Sequence, residues 1–211
     1  MGNPLLFLAL FGAVSDTMVS ANLKHLTSTD TLWPGWPADL PWQEQALTWW
    51  LTRGDSAALT RFVRRVNSLA RSHSQPLTIQ YLDWLADAGR AYQTLLRGDS
   101  TGALRGLEAL PDSLCLFIYC RLHKLTHVRL LANTGRELEA LRLLDKWVPP
   151  WGGALFTLGL LDRGRLAERL GERDLAVRSH RRVVDRWRRA DPVLQPYVTE
   201  ARRGLARLTG D

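Results

Sequence analysis

The sequence predicts an all-α protein: a right-handed array of about four helical hairpins, led by a hydrophobic helix and closed by an amphipathic capping helix. Three observations carry that reading. A glycine interrupts a helical pattern four times, at Arg53-Gly54-Asp55-Ser56, Arg97-Gly98-Asp99-Ser100, Thr134-Gly135-Arg136-Glu137 and Leu170-Gly171-Glu172-Arg173. The glycines stand 44, 37 and 36 residues apart, a period expected of hairpins that bury their faces against one another in series. Prolines fall between the paired segments, at Pro76, Pro111, Pro149-Pro150 and Pro192, where a helix must stop or start.

Residues 4–27 read as the leading helix. Its run from Pro4 to Val14 has the apolar character of a secretory signal, and Ala13-Val14-Ser15 offers small residues for cleavage. No Lys or Arg precedes the run, however, and it is too short to span a bilayer. Val19, Leu23 and Leu26 continue it at helical spacing, which favours a buried first helix. Residues 28–41 contain three prolines and a glycine, so they form a Trp/Pro-rich linker without a regular element. Residues 1–41 are therefore the leader and residues 42–211 the helical domain.

Within that domain the pairs are 42–53 with 56–72, 77–97 with 100–110, 114–133 with 136–147, and 154–170 with 172–190. The cap follows at 192–208. On 172–190 the residues Ala176, His180, Val183, Val184 and Trp187 share one stripe, the mark of a single buried face. On the cap, Leu194, Tyr197, Val198, Ala201, Leu205 and Leu208 form a similar stripe, opposite Arg202, Arg203 and Arg207. One apolar and one charged face suits the terminal helix of an array.

Residues 160–192, with Gly164, Ala167, Gly171-Glu172-Arg173-Asp174-Leu175-Ala176 and the later Pro192, resemble a tetratricopeptide repeat. In that family the small residue matching Gly164 lets two helices approach, and Ala176 sits at their crossing. Gly98 with Ala103 and Gly135 with Ala140 keep the same offset, whereas Gly54 has its alanine one residue early, at Ala58. The close-approach position reads Leu47, Ala91 and Val128 in the first three pairs, and the family's Trp-Leu-Gly-Tyr block is missing. The run from Leu166 through Pro196 is also similar to the tails of large bacterial signalling kinases and transcriptional regulators. The resemblance implies a C-terminal sensor or interaction region of such a cytoplasmic protein.

The 28 basic and 21 acidic residues give a formal charge of +7, and residues 161–211 alone carry thirteen Arg against eight acids. A basic third of this kind attracts anionic partners. Acids are interleaved with Arg178, Arg181, Arg182 and Arg189 at helical spacing, and no recognition motif accompanies them. The reading is solvated helix faces, with no nucleic-acid partner and no membrane insertion. Cys115 and Cys120 lie five apart on one expected helix, on different sides of it, so no disulfide is implied.

Catalytic signals fail. Cys120, His123 and His127 share a helical stripe that could contribute to a zinc site with Cys115 or a carboxylate. The His123-to-His127 spacing is that of a metalloprotease, but Lys124 stands where the general base belongs. No phosphate loop or nucleophile elbow occurs, and no cofactor is expected. Trp33, Trp36, Trp49 and Trp50 form an aromatic patch that serves either as packing or as a shelf for a ligand, and packing is the reading favoured. Trp147-Val148-Pro149-Pro150-Trp151 is either a rigid linker or an exposed lip. The function expected is a non-catalytic protein-interaction scaffold. Its concave groove, lined by the first helix of each pair, would present Tyr81, Trp84, Asp87, Arg90, Arg121, Lys124, Arg163 and Arg165 to a peptide or protein. A secreted or periplasmic binding protein using the Trp-rich surface is one alternative, and a zinc-dependent enzyme is another.

Overall fold

The computed structural model describes residues 14–27, 40–114, 121–147 and 154–210. Every regular element among them is helical. The leading run 4–13, Trp33, Trp36, Cys115, Cys120 and the segment 148–153 lie outside the described residues. Ten α-helices follow one another: α1 (Asp16–Thr27), α2 (Leu40–Arg53), α3 (Ser56–Ser72), α4 (Pro76–Leu96), α5 (Ser100–Glu108), α6 (Arg121–Asn133), α7 (Glu137–Trp147), α8 (Ala154–Arg169), α9 (Arg173–Trp187) and α10 (Gln195–Thr209). Single 3₁₀ turns occur at Asp112–Leu114 and Pro192–Leu194.

The four glycines share one turn geometry. Each has φ between +67° and +86°, a left-handed conformation that costs a residue with a Cβ. The glycine N–H returns to the carbonyl three residues back and the next N–H to the carbonyl five back. The pairs are Gly54 to Leu51 with Asp55 to Trp50, Gly98 to Leu95 with Asp99 to Thr94, Gly135 to Ala132 with Arg136 to Leu131, and Gly171 to Glu168 with Glu172 to Ala167. This double bond satisfies helix-end carbonyls and reverses the chain within a few residues. At the first two turns an aspartate then caps the next helix: Asp55 accepts from the Ala58 amide at 2.8 Å and Asp99 from the Gly102 amide at 2.7 Å. Five residues past each glycine the side chain is fully enclosed, as Leu59, Ala103, Ala140 and Ala176 show. Gly98→Ala is expected to cost about 1–2 kcal/mol in urea unfolding, because no atom lies within 4 Å of the added Cβ and the backbone alone resists.

Two compact units divide the chain, Met1–His123 and Lys124–Asp211, and α6 passes from one to the other. In the first, α2 packs on α3 and α4, α3 on α4, α4 on α5, and α1 lies against α3. Val19 and Leu23 bury the contact face of α1, and an Asp16–Arg53 ion pair at 2.8 Å ties it to the end of α2. Helix α4 packs against three others in this unit and buries Tyr81, Leu82, Trp84, Leu85, Ala86, Ala88, Ala91 and Tyr92 on most of its sides. In the second unit α7 packs on α8, α8 on α9 and α9 on α10, and α8 also meets α10. Ala176, His180, Val183 and Trp187 of α9 are buried, as are Val198 and Ala201 of α10.

Helix limits depart from expectation where proline decides them. Helix α2 begins at Leu40 with Pro41 in its first turn, and α10 begins at Gln195 with Pro196 next, not at Pro192. Proline suits the first turn because its missing N–H would have no intrahelical partner there. No helix among the described residues is long and apolar enough to cross a membrane.

Candidate functional site

A groove with a polar lining lies in the second unit, between α6 and α8. It has a volume of about 250 Å³ and is lined by Val128, Arg129, Ala132, Asn133, Asp162, Arg165, Leu166 and Arg169. One turn of helix separates Arg129 from Asn133, and Asp162, Arg165 and Arg169 recur at three and four, so each helix presents one polar stripe to the groove.

The stripes are held by a carboxylate at the floor. The Asp162 side chain is 6% exposed and accepts from Arg129 Nε at 2.9 Å and from Arg165 Nη1 at 2.6 Å. Arg165 also donates through Nε and Nη2 to both oxygens of Glu200 on α10, at 2.5 and 2.6 Å, a bidentate fork with strong directional preference. The hydrogen bond to Glu200 raises the Arg165 pKa, helped by the charges of Asp162 and Glu200 against partial burial. The same hydrogen bond, followed by the charges of Arg165, His180 and Arg207, holds the Glu200 carboxyl below its ordinary value. Arg129 and Arg169 are about half exposed. Only Nε of Arg129 is used by Asp162, and Arg169 reaches Glu137 no closer than 3.9 Å. Both guanidiniums line the groove with N–H groups that these contacts do not use.

A second polar chain joins α8, α9 and α10. His180 Nε2 meets Glu168 Oε1 at 2.5 Å, and Arg207 Nη2 donates to Glu168 Oε2 at 2.9 Å. The imidazole is 1% exposed and fills the space that side chains would occupy at Gly164 and Gly204. Thus the partner of the close approach at Gly164 is His180, flanked on its other side by a second glycine.

The residues expected to line a partner groove are dispersed. Tyr81 and Trp84 are enclosed in the core, their rings stacked 6.0 Å apart with an 8° tilt. They face inward because α4 is covered by α2, α3 and α5, which leaves only Asp83, Asp87 and Arg90 of that stretch outside. Asp87 and Arg90 pair with each other at 2.5 Å and border a shallow groove of about 290 Å³ beside Gly102 and Gly106. Lys124 is 9% exposed, so it too is a core position. Arg163 pairs with Asp145 at 2.6 Å, and the backbone alone of Arg121 is described. Of the eight, only Arg165 reaches the groove of the second unit. Arg129, Asn133, Asp162 and Arg169 were not anticipated, although their spacing of three and four on neighbouring first helices is readable in the sequence.

The aromatic patch resolves similarly. Trp49 and Trp50 are 2% and 4% exposed and belong to the core, Trp50 against Phe62 at 5.4 Å and Trp49 beneath the Arg53 guanidinium at 4.2 Å. They offer no exposed shelf. His123 is buried in the first unit, where its ring bonds the Tyr92 hydroxyl at 3.1 Å and its amide donates to Glu44 at 2.8 Å. Among the described residues no three His, Cys, Asp or Glu side chains group as metal ligands.

No protein-family model matches the chain, and neither a curated protein nor a solved structure matches it.

Proposed function

We propose that the chain is a non-catalytic interaction scaffold of tetratricopeptide-like hairpins, and that the groove between α6 and α8 receives an acidic peptide. The observation that carries this reading is the pair of guanidiniums at Arg129 and Arg165, held on two neighbouring helices by the buried Asp162, with Arg169 beside them in the same groove. A cation held in place loses little freedom when a carboxylate arrives, which is where preorganised sites gain affinity. The four equivalent glycine turns and the packing of sequence neighbours support the hairpin reading. The likeness of residues 166–196 to signalling-protein tails supports a regulatory role in the cytoplasm of a bacterium.

Fluorescence anisotropy with labelled decapeptides tests the groove. A peptide rich in Asp and Glu is expected to bind, and one of reversed charge is not. Arg129→Glu with Arg169→Glu should weaken the acidic peptide about tenfold or more, since each charge-assisted hydrogen bond contributes about 1.5–3 kcal/mol. Unchanged binding by that double variant removes the groove as the site.

A further inference from the structure

The positive charge of the chain belongs to one unit. Residues 1–123 hold ten basic and ten acidic side chains, whereas residues 124–211 hold eighteen basic and eleven acidic. All seven excess charges therefore lie in the second unit. Its carboxylates are not spread evenly among its arginines. Glu137, Glu139, Asp145, Asp162, Glu168 and Glu200 engage Arg169, Arg136, Arg163, Arg129, Arg165 and Arg207.

That allocation leaves a row of arginines on α9 and in the turn after it outside the ion pairs. Arg178, Arg181, Arg182, Arg188 and Arg189 are exposed, and none forms an ion pair with a described carboxylate. Positions 178, 181 and 182 fall on the side of α9 opposite Ala176, His180, Val183 and Trp187, the stripe buried against α8 and α10, and Arg188 and Arg189 follow in the turn after the helix. The row from Arg178 to Arg188 runs for about 15 Å at the helical rise. Arg202 and Arg203 are exposed on the neighbouring α10. Asp174 and Asp185 are the acids on the exposed side of α9, so the face stays strongly cationic.

We propose that this arginine face of the second unit docks along the phosphate backbone of duplex DNA without reading its sequence. The chemistry of the face selects that partner. The large apolar side chains exposed among the described residues are Met18, Leu77, Leu138 and Leu170, and none lies on α9 or α10. The face therefore has neither the apolar residues that insert into a membrane nor an apolar anchor for a protein interface, and what it offers a partner is charge. Unpaired strands are held by exposed aromatic rings, and Trp187 is buried. Duplex RNA is recognised through its 2′-hydroxyls, yet the one Ser on α9, Ser179, is buried and α9 has no Thr, Asn or Gln. A DNA backbone is bound by a row of cations without base contacts, and the guanidinium fork matches phosphate.

The test is anisotropy of the full chain with a labelled 20-base-pair DNA of arbitrary sequence. Five phosphate contacts predict a log–log salt slope of about −4.5, roughly a 500-fold loss between 50 and 200 mM NaCl. Arg178→Glu, Arg181→Glu and Arg182→Glu combined should reduce affinity at least tenfold, and the corresponding Lys triple variant should retain most of it. Arg129→Glu with Arg169→Glu, which disables the peptide groove, should remove no more than its share of the general charge. A control with Arg61→Glu, Arg64→Glu and Arg71→Glu changes the net charge equally on exposed positions of the neutral unit. The proposal is overturned if that control weakens DNA as much as the α9 variant. It is equally overturned if duplex RNA, polyglutamate or phosphatidylserine vesicles of matched charge bind as tightly as DNA. Circular dichroism of each variant shows that the helices are intact.

Discussion

Gly164→Ala is expected to destabilise the second unit by about 1–3 kcal/mol, and the same substitution should become neutral or stabilising once His180 is alanine. The added Cβ would stand 2.6 Å from His180 Cε1 and 2.8 Å from both ring nitrogens. Those distances force something to move. The ring has nowhere to go, because a Cβ position at Gly204 lies 2.7 Å from Nε2 on the other side and Glu168 fixes the same nitrogen at 2.5 Å. A helix-interior glycine ordinarily gains about 1 kcal/mol from replacement by alanine, so the sign of the effect reports the contact. In the His180→Ala background the obstruction is gone and that gain remains. Urea unfolding followed by circular dichroism, with total tryptophan fluorescence as a second probe, measures the cycle. Additive costs in the two backgrounds would show that the imidazole does not separate these helices.

Trp84 gives the largest single effect in the first unit. Trp84→Ala should cost about 3–5 kcal/mol, since the side chain is 2% exposed, stacked on Tyr81 and tilted against His123 at 5.1 Å. Trp84→Phe should cost much less. The indole Nε1 is buried without a hydrogen-bond acceptor, and such an orphan donor carries a penalty of about 1–3 kcal/mol. Phenylalanine removes that penalty while it opens part of the ring volume, so the two terms oppose each other. Equal destabilisation by Ala and Phe in thermal or urea unfolding would mean that the N–H is satisfied in solution.

The sequence announces its helices well because their ends are chemical. Gly54, Gly98 and Gly171, with Asp55 and Asp99 behind the first two, mark turns that local backbone geometry alone requires. The stripes of α9 and α10 are equally plain, since one face of each meets one neighbour. What stays hidden depends on rotation and distance. Tyr81 and Trp84 read as groove residues only if α4 has a free side, and its three neighbours cover that side. Lys124 carries a charged head, which argues for exposure until packing is known. The caged His180 could be placed on the buried stripe, but its second glycine lies 24 residues further on, in another helix. The floor of the groove between α6 and α8 is hidden for the same reason: Asp162 meets Arg129, 33 residues earlier.

The chain reverses direction through the handedness of one peptide at each of the four glycines, with open space where a side chain would be. The path of the polypeptide is thereby decoupled from the identity of the residues along the helix flanks. Neighbouring hairpins can drift apart in surface chemistry while the trace they follow stays the same. One half of this molecule has kept electrical balance and the other has become a cationic body, at no expense to how either is folded.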